Sequence, residues 1–353
     1  MPGADFWRGR RVVLTGQTGF KGAWTWAWLR RMGAEVTGLA LAPDTAPNLS
    51  ALLGLGGCAR SRLGDIRDGQ AVAAAVEAAR PQIVLHMAAQ ALVRRSYAAP
   101  IETFDINVNG TLRVLEALRG CAGLQACLVV TSDKVYENDG SGRAFVETDR
   151  LGGSDPYSAS KAACEIAVSS FARSYAQALG APVATARAGN VIGGGDWAAE
   201  RIVPDLWRAH RAGEAVSLRY PGATRPWQYV LEPVAGYLDF LEALAGGCPE
   251  RALNFGPLEG GPVTVAEVAE AFQAAYGATA TAGWVQAPGE HLKEAPNLAI
   301  DARRATGLLP WRPRLSAAEA IAWTARWYAA FDQGADMAAF TDTQIADFED
   351  RLA

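Results

Sequence analysis

The chain has 353 residues, half of them hydrophobic and one fifth charged, which is a globular composition and not a disordered or fibrous one. Lys plus Arg number 33 against 37 Asp plus Glu, a formal net charge of −4. That balance lacks the basic surplus that drives binding to phosphate backbones, so nucleic acid is set aside as a partner.

In chain order, residues 11–15 are a β-branched run and the first predicted strand. Residues 20–32 are a predicted helix, with Phe20, Ala23, Trp24, Ala27 and Trp28 on one face. A second strand is expected over 35–41. Residues 71–79 are Ala-rich and helical by propensity. Strands follow at 83–86, 127–131 and 183–187, with helices at 101–118 and 157–179 between them. Strand, helix, strand in this rhythm means a parallel sheet with right-handed crossovers. The expected fold is α/β, a Rossmann-type doubly wound parallel sheet with a smaller C-terminal substrate domain.

Beyond residue 187 the rhythm changes. Gly193 to Gly195, Pro204, Pro221, Pro226 and Pro233 punctuate the chain. Helices are expected between them, at 203–211, 233–244 and 264–276, and a last one at 316–331 whose Trp323 and Trp327 read as core. The expected division is a dinucleotide-binding domain over 1–187, to which a segment near 226–247 returns. Most of 188–353 then forms the ligand domain, since loops on a rigid scaffold carry binding groups.

The N-terminus has no apolar stretch of the signal-peptide kind, and no run of about 18 uncharged apolar residues marks a membrane span. Five cysteines (Cys58, Cys121, Cys127, Cys164, Cys248) without CxxC spacing argue against a disulfide framework or zinc site. His86, His210 and His291 stand at no metal-ligand spacing. The expectation is a reducing cytoplasm, no membrane and no protein-bound metal.

The first strand runs into Gly16, Gly19 and Gly22, a GxxGxxG between strand and helix. Gly16 makes the tight turn, Gly19 admits a pyrophosphate to the backbone, and Gly22 brings helix close to strand. The helix N-terminus offers free N–H groups to the anion. No carboxylate ends the second strand before Asp44, and no Arg stands there, so this strand leaves NAD against NADP open. Asp65 reads either as a partner for an adenine amino group, with Ile66 on the ring, or as a loop residue ahead of a cap at Asp68.

Tyr157 and Lys161 form YxxxK, four apart on one helix face. Lys161 lowers the Tyr157 phenol by its charge and holds a nicotinamide ribose; Tyr157 then serves as base on an alcohol. Ser132, Asp133 and Lys134 follow a buried strand, at the edge where open α/β sheets bind ligands.

These pieces, with HMAAQ at 86–90 and NVNGT at 107–111, resemble the extended short-chain dehydrogenase/reductases that act on nucleotide-diphosphate sugars. GQTGFKGAW (16–24), AAQALVRRSY (88–97), TSDKVYEN (131–138), DPYSASK (155–161), ARAGNVIGGGDW (186–197) and ATRPWQYVLEP (223–233) resemble the CDP-glucose 4,6-dehydratase group, over nearly the whole chain. The resemblance implies NAD as cofactor, held by Gly16, Gln17, Gly19, Phe20, Gly22, Asp65, Ile66, Ala88, Ala89, Gln90 and Asn107. It implies CDP-glucose as substrate, with cytosine selectivity resting on the resemblance alone. The group usually has His where Gln17 and Tyr229 stand and Asp at Glu200. Gln17 is expected to tune cofactor affinity and Tyr229 to lie near the nucleotide.

The implied reaction oxidises C4, with Ser132 fixing the hydroxyl and Tyr157 taking its proton. Elimination of water across C5 and C6 follows, with Asp133 as the acid, and hydride returns to C6. Lys134 stands where related dehydratases carry a Glu base. It is either the C5 base, which needs a depressed pKa, or a stabiliser of an enolate. Asn190, Arg201, Arg219 and Arg225 are candidates for the substrate diphosphate, Arg225 first, because guanidinium grips phosphate bidentately. The alternative for each Arg is a surface ion pair. A homodimer through helices 101–118 and 157–179 is implied, with Ala162, Ala163, Ile166 and Val168 as apolar positions. The rival readings are a 4-epimerase, a nucleotide-sugar reductase, or a non-catalytic dinucleotide module on the same fold.

Overall fold

Apolar runs bounded by Gly, Pro and Asp become the strands of a single parallel sheet. The computed structural model describes residues 2–257, 263–277, 283–289 and 298–352. Met1 and His291 lie outside the described residues. The strands are β1 (Arg11–Thr15), β2 (Glu35–Ala40), β3 (Ser61–Leu63), β4 (Ile83–His86), β5 (Ala126–Val130), β6 (Val183–Ala188) and β7 (Ala252–Phe255). Their order is β7-β6-β5-β4-β1-β2-β3, and every neighbouring pair is parallel. Strands β4, β5 and β6 are buried along their whole length, which is why they read as continuous apolar runs.

The described helices used below are α1 (Phe20–Arg31), α2 (Gly69–Ala79), α3 (Thr111–Ala117), α4 (Pro156–Ser174), α5 (Ile202–Ala212), α6 (Leu231–Ala245), α7 (Val265–Tyr276), α8 (Ala317–Asp332) and α9 (Met337–Leu352). The two-residue period of a strand divides the core. Val12, Leu14, Leu85 and Leu128 join the cluster of α1, α6 and α8 on one face. Val13, Val84, Cys127 and Val129 join that of α2, α3 and α4 on the other.

Local chemistry sets the helix starts. Asp68 accepts from the Gln70 and Ala71 amides to begin α2, and Asp155 accepts from Ser158 to begin α4. Thr264 and Ser316 form capping boxes with Glu267 and Glu319. The helix expected over 101–118 is realised as Pro100–Phe104, a π-helical stretch Asp105–Gly110, and α3. The one expected to 179 breaks at Tyr175.

Two of the elements that carried no sequence expectation join the main body of the fold. One is β7, which extends the sheet beside β6. The other is α9, which returns to α1, where Trp28 and Arg31 donate to Glu349 at 2.8 and 2.9 Å. Past β6 the chain makes short pairs: Val191–Ile192 with Gln228–Tyr229, Thr224–Arg225 with Val263–Thr264, and Val216–Leu218 with Trp284–Gln286. No helix among the described residues is long and apolar enough to cross a membrane.

Candidate active site

The C-terminal ends of β1, β4, β5 and β6 open into one cleft of about 840 Å³, the size of a large-ligand site. Gly16 turns the chain out of β1 with φ of +81°, a conformation open to glycine. The Gly19 amide donates to the Gly16 carbonyl at 3.1 Å. A Cβ on Gly22 would run into that same carbonyl, with the Gly16 carbon only 2.7 Å away. The third glycine is therefore required by the closeness of α1 to the loop. The loop leaves a groove at the N-terminus of α1, bounded by Gly16, Gly19, Phe20, Ile66 and Ala88, that fits the diphosphate and adenosine of a dinucleotide. Chemistry agrees, since the groove offers backbone amides and apolar faces.

His86 fixes the neighbouring loop. Its Nδ1 bonds the Thr15 hydroxyl at 2.6 Å and its Nε2 the Thr111 hydroxyl at 3.0 Å. Burial, then the Lys161 charge, pushes the imidazole down to about 3, so it is neutral and structural. Thr15 also accepts from the Met87 and Ala88 amides, both at 3.1 Å. Ala88, Ala89 and Gln90 line the cleft as expected.

Asn107 and Gln17 do not line it. Asn107 is buried behind the loop, where it accepts from the Gln90 amide at 2.9 Å and donates to the Gln90 carbonyl and the Ser160 hydroxyl. Gln17 is fully buried beneath the glycine turn, against Gly38, and donates to the Arg62 carbonyl at 3.1 Å. Both shape the groove from behind. Of the two sequence alternatives, the cap at Asp68 is formed, and Asp65 stands at the cleft edge. Asp68 caps α2, while Asp65 borders the cleft with its carboxylate held by Arg67, whose hydrogen bonds keep its pKa below the ordinary value.

The cluster of Ser132, Asp133, Tyr157 and Lys161 is assembled from two elements. Ser132 follows β5 by two residues and caps the short turn Asp133–Val135, accepting from the Lys134 amide at 3.2 Å. Its hydroxyl donates to Asp133 Oδ1 at 3.1 Å. Asp133 Oδ2 is buried with no hydrogen-bond partner and lies against Gly189. Burial, the dominant cause, raises the Asp133 carboxyl and biases it toward its protonated form. Tyr157 opens α4 after Pro156, and Lys161 lies one turn on, donating to the Val130 carbonyl at 3.3 Å. Both are buried. Burial pushes the Tyr157 phenol up to about 12, opposed by its bond with Ser132 and the Arg201 charge. Burial lowers Lys161 in turn, and its amine is turned to the β5 carbonyl.

A buried ion pair braces this cluster. Arg187 on β6 donates to Glu165 on α4 at 2.8 and 2.9 Å, and Glu165 also accepts from Thr131 and Thr185. Arg187 reaches the Tyr136 hydroxyl at 2.8 Å. Thr131 and Tyr136 bracket residues 132–134, so the pair holds both ends of the reactive turn. Charges this deeply buried survive only when paired and hydrogen-bonded.

On the far wall, Asn190, Arg201, Arg219 and Arg225 all border the cleft. Arg201 pairs with Asp196 at 2.8 Å, and its charge bears on Tyr157. Arg225 bears on Asp133, and Arg219 on Asp205. Tyr229, expected near the nucleotide, is instead fully buried in the core. It stacks edge-on against Trp24 and Trp323 and donates to Gln344 at 2.8 Å. The bulk of an aromatic ring on a two-residue strand facing α8 decides that.

Lys21, passed over in the sequence, also borders the cleft. Its amine donates to the Tyr237 hydroxyl on α6 at 3.3 Å. Burial, then the Arg201 and Lys161 charges, lowers it to about 7, with Asp133 pulling the other way. The available signal was a lysine inside the glycine motif, between Phe20 and Gly22.

Comparison with known proteins agrees with this architecture. The model of the NAD dependent epimerase/dehydratase family matches residues 12–256. A CDP-glucose 4,6-dehydratase of Salmonella typhimurium is 38% identical over 351 residues, 98% of this chain and 97% of its own. A dTDP-glucose 4,6-dehydratase from Streptomyces venezuelae, solved with NAD bound, superposes with a TM-score of 0.76 at 26% identity, covering 93% of this chain and 99% of that one. An epimerase from Methanothermobacter thermautotrophicus shares the fold with a TM-score of 0.78 at 23% identity, covering 94% and 95%. The glycine groove, the Tyr157–Lys161 helix and the match across the sheet together place the chain: it belongs to the NAD dependent epimerase/dehydratase family, and NAD is its cofactor.

Proposed function

We propose that this enzyme dehydrates CDP-glucose to CDP-4-keto-6-deoxyglucose. The observation that carries the reading is Asp133, a buried carboxyl biased toward its protonated form, with one oxygen unpartnered beside Ser132. Elimination of water needs such an acid, whereas 4-epimerisation has no step for it. The nucleotide assignment is supported by the identity to the Salmonella CDP-glucose enzyme along almost the full length of both chains.

NAD, when bound, supplies the hydride acceptor at C4 and the donor at C6. Gly16, Gly19 and Phe20 hold its diphosphate, and Ile66 and Asp65 its adenosine. Ser132 Oγ orients the C4 hydroxyl and the Tyr157 oxygen takes its proton. Lys161 steadies the ribose end. The C4 ketone then acidifies C5, and Lys134 takes that proton. Asp133 delivers its own proton to the C6 hydroxyl, and water leaves. Arg201, Arg225 and Asn190 grip the substrate diphosphate, with Arg219 toward the nucleotide.

The chain divides by task along the same lines. Residues 1–187 with the returning α6 and β7 serve the dinucleotide, and most of 188–353 serves the nucleotide sugar. A homodimer is part of the proposal. Ile101 and Ile166 are 82% and 59% exposed on neighbouring helices, apolar surface that a second copy would cover. Ala162 and Val168 are buried in the chain's own core and take no part.

The test is proton NMR in D2O with CDP-, dTDP-, UDP- and GDP-glucose offered in turn. A new C6 methyl signal with deuterium at C5, from CDP-glucose alone, is the expected result. The same signal from another nucleotide would keep the chemistry and overturn the base. An inverted C4 without a methyl would move the protein to the epimerases.

A further inference from the structure

Lys21 is a cation without a counter-ion. Among the described residues its amine has one hydrogen-bond partner, the Tyr237 hydroxyl, and no carboxylate within ion-pair distance. Tyr237 is itself fully buried and lies under the lysine, 5.5 Å from the amine to the ring centre. The charged and titratable groups that face this pair come from every side of the cleft. Lys161 and Tyr157 project from α4, Asp133 from the turn after β5, and Arg201 from the segment before α5. Two of the charges are positive and one, Asp133, is biased toward neutrality. A half-buried ammonium in such company is costly unless something relieves it.

The structure puts this lysine on the first turn after the glycine loop and within electrostatic reach of Lys161, which steadies the ribose next to the nicotinamide. We propose that Lys21 is a charge-compensating residue for the nicotinamide end of the cofactor, favouring the reduced form over the oxidised form when it carries a proton. The inference rests on the cofactor site described above. An oxidised nicotinamide adds a third nearby positive charge, which disfavours the ammonium. The reduced ring is neutral, so Lys21 takes up one proton from solvent when that form is bound. No covalent bond is made or broken. Burial and the Arg201 and Lys161 charges already bring the amine to about 7, where a single added charge decides its protonation. The consequence for catalysis is that the half-reacted state, with reduced cofactor and ketosugar, is held in the cleft.

The test is equilibrium binding of NAD+ and NADH, followed by quenching of tryptophan fluorescence from about pH 5.5 to about pH 8.5. In the wild type the preference for NADH over NAD+ is expected to grow about tenfold as pH falls across this range, the size of one partly screened charge pair. Lys21→Met should hold the preference flat at its high-pH value. Lys21→Arg should hold it flat at the low-pH value, and this variant keeps the test alive if the methionine protein folds poorly. Wild-type pH dependence surviving in both variants overturns the proposal. An equal loss of affinity for both forms at all pH would make Lys21 a phosphate contact and also overturns it. Failure of the wild type to bind either form counts instead against the cofactor site.

Discussion

The two walls of the cleft are built on different physical plans. The wall at the glycine loop is backbone architecture. Strand register sets Thr15 beside His86, Gly16 turns with positive φ, and Gly22 lets α1 touch the turn. Little there depends on the identity of exposed side chains. The opposite wall, from Gly189 to Arg225, hangs on two-residue strand pairs. It is held by aromatic packing of Trp197 against Trp207, Trp327 and Phe331. Trp24 reaches across to it, donating to the Gly194 carbonyl at 2.9 Å. A wall of shared backbone serves a cofactor common to many enzymes. A wall of packed side chains is free to vary with the substrate.

The sharpest way to break the comparison is a methyl group on each side. In Gly22→Ala the new Cβ meets backbone of the Gly16 turn, which cannot move aside. Overpacking against such a neighbour costs about 3 kcal/mol. The expected outcome is a loss of about a hundredfold in cofactor affinity, measured by titration with NADH. Unchanged affinity would mean that the turn is not a rigid cradle.

Gly189→Ala is the matching change on the other wall. Its Cβ would lie 3.0 Å from the Asp133 carboxyl carbon and 2.9 Å from Pro226. Here a side-chain end gives way first, so the Asp133 carboxyl is displaced while the glycine loop is untouched. Methyl formation from CDP-glucose should fall about a hundredfold, the low end of what a general acid contributes, with cofactor affinity preserved. A variant that loses cofactor and turnover together would show that the two walls are one mechanical unit.

The same contrast explains what the sequence made legible. Strands 11–15 and 83–86 coincide with β1 and β4, because short buried strands between turn residues leave a local pattern. Tyr157 and Lys161 were legible because helix geometry fixes a four-residue spacing. Gln17 and Tyr229 were misplaced because their surroundings are non-local. The first is capped by β2 and β3, and the second sits in a pocket completed by α8 and α9, over ninety residues downstream. Lys21 went unread for the same reason, since its neighbours Tyr237 and Arg201 are set by the fold. Strand β7 lacked a signal because four residues of ordinary composition become a strand only beside β6.

The smallest effect concerns stability alone and tests how independent the packed region is of the chemistry. Glu232, on the first turn of α6, accepts from the Arg314 and Leu315 amides at 2.8 and 2.7 Å, and its second oxygen is buried without a partner. Burial raises its carboxyl to about 7, against the pull of those two amides. The native state therefore binds a proton that the unfolded chain, with an ordinary value of 4.5, gives up. Stability from this group is full below about pH 4.5 and is lost as pH rises through about 7, roughly 3 kcal/mol in all. Glu232→Gln keeps an oxygen for both amides and cannot ionise. Its melting temperature should gain on that of the wild type by a few degrees between about pH 5 and about pH 8. Other buried carboxyls cancel in that difference. The pH dependence of turnover should be the same in both proteins, because Glu232 does not border the cleft. A shifted activity profile would mean that α6 passes its charge state to Tyr237 and Lys21, which would join the two walls electrostatically after all.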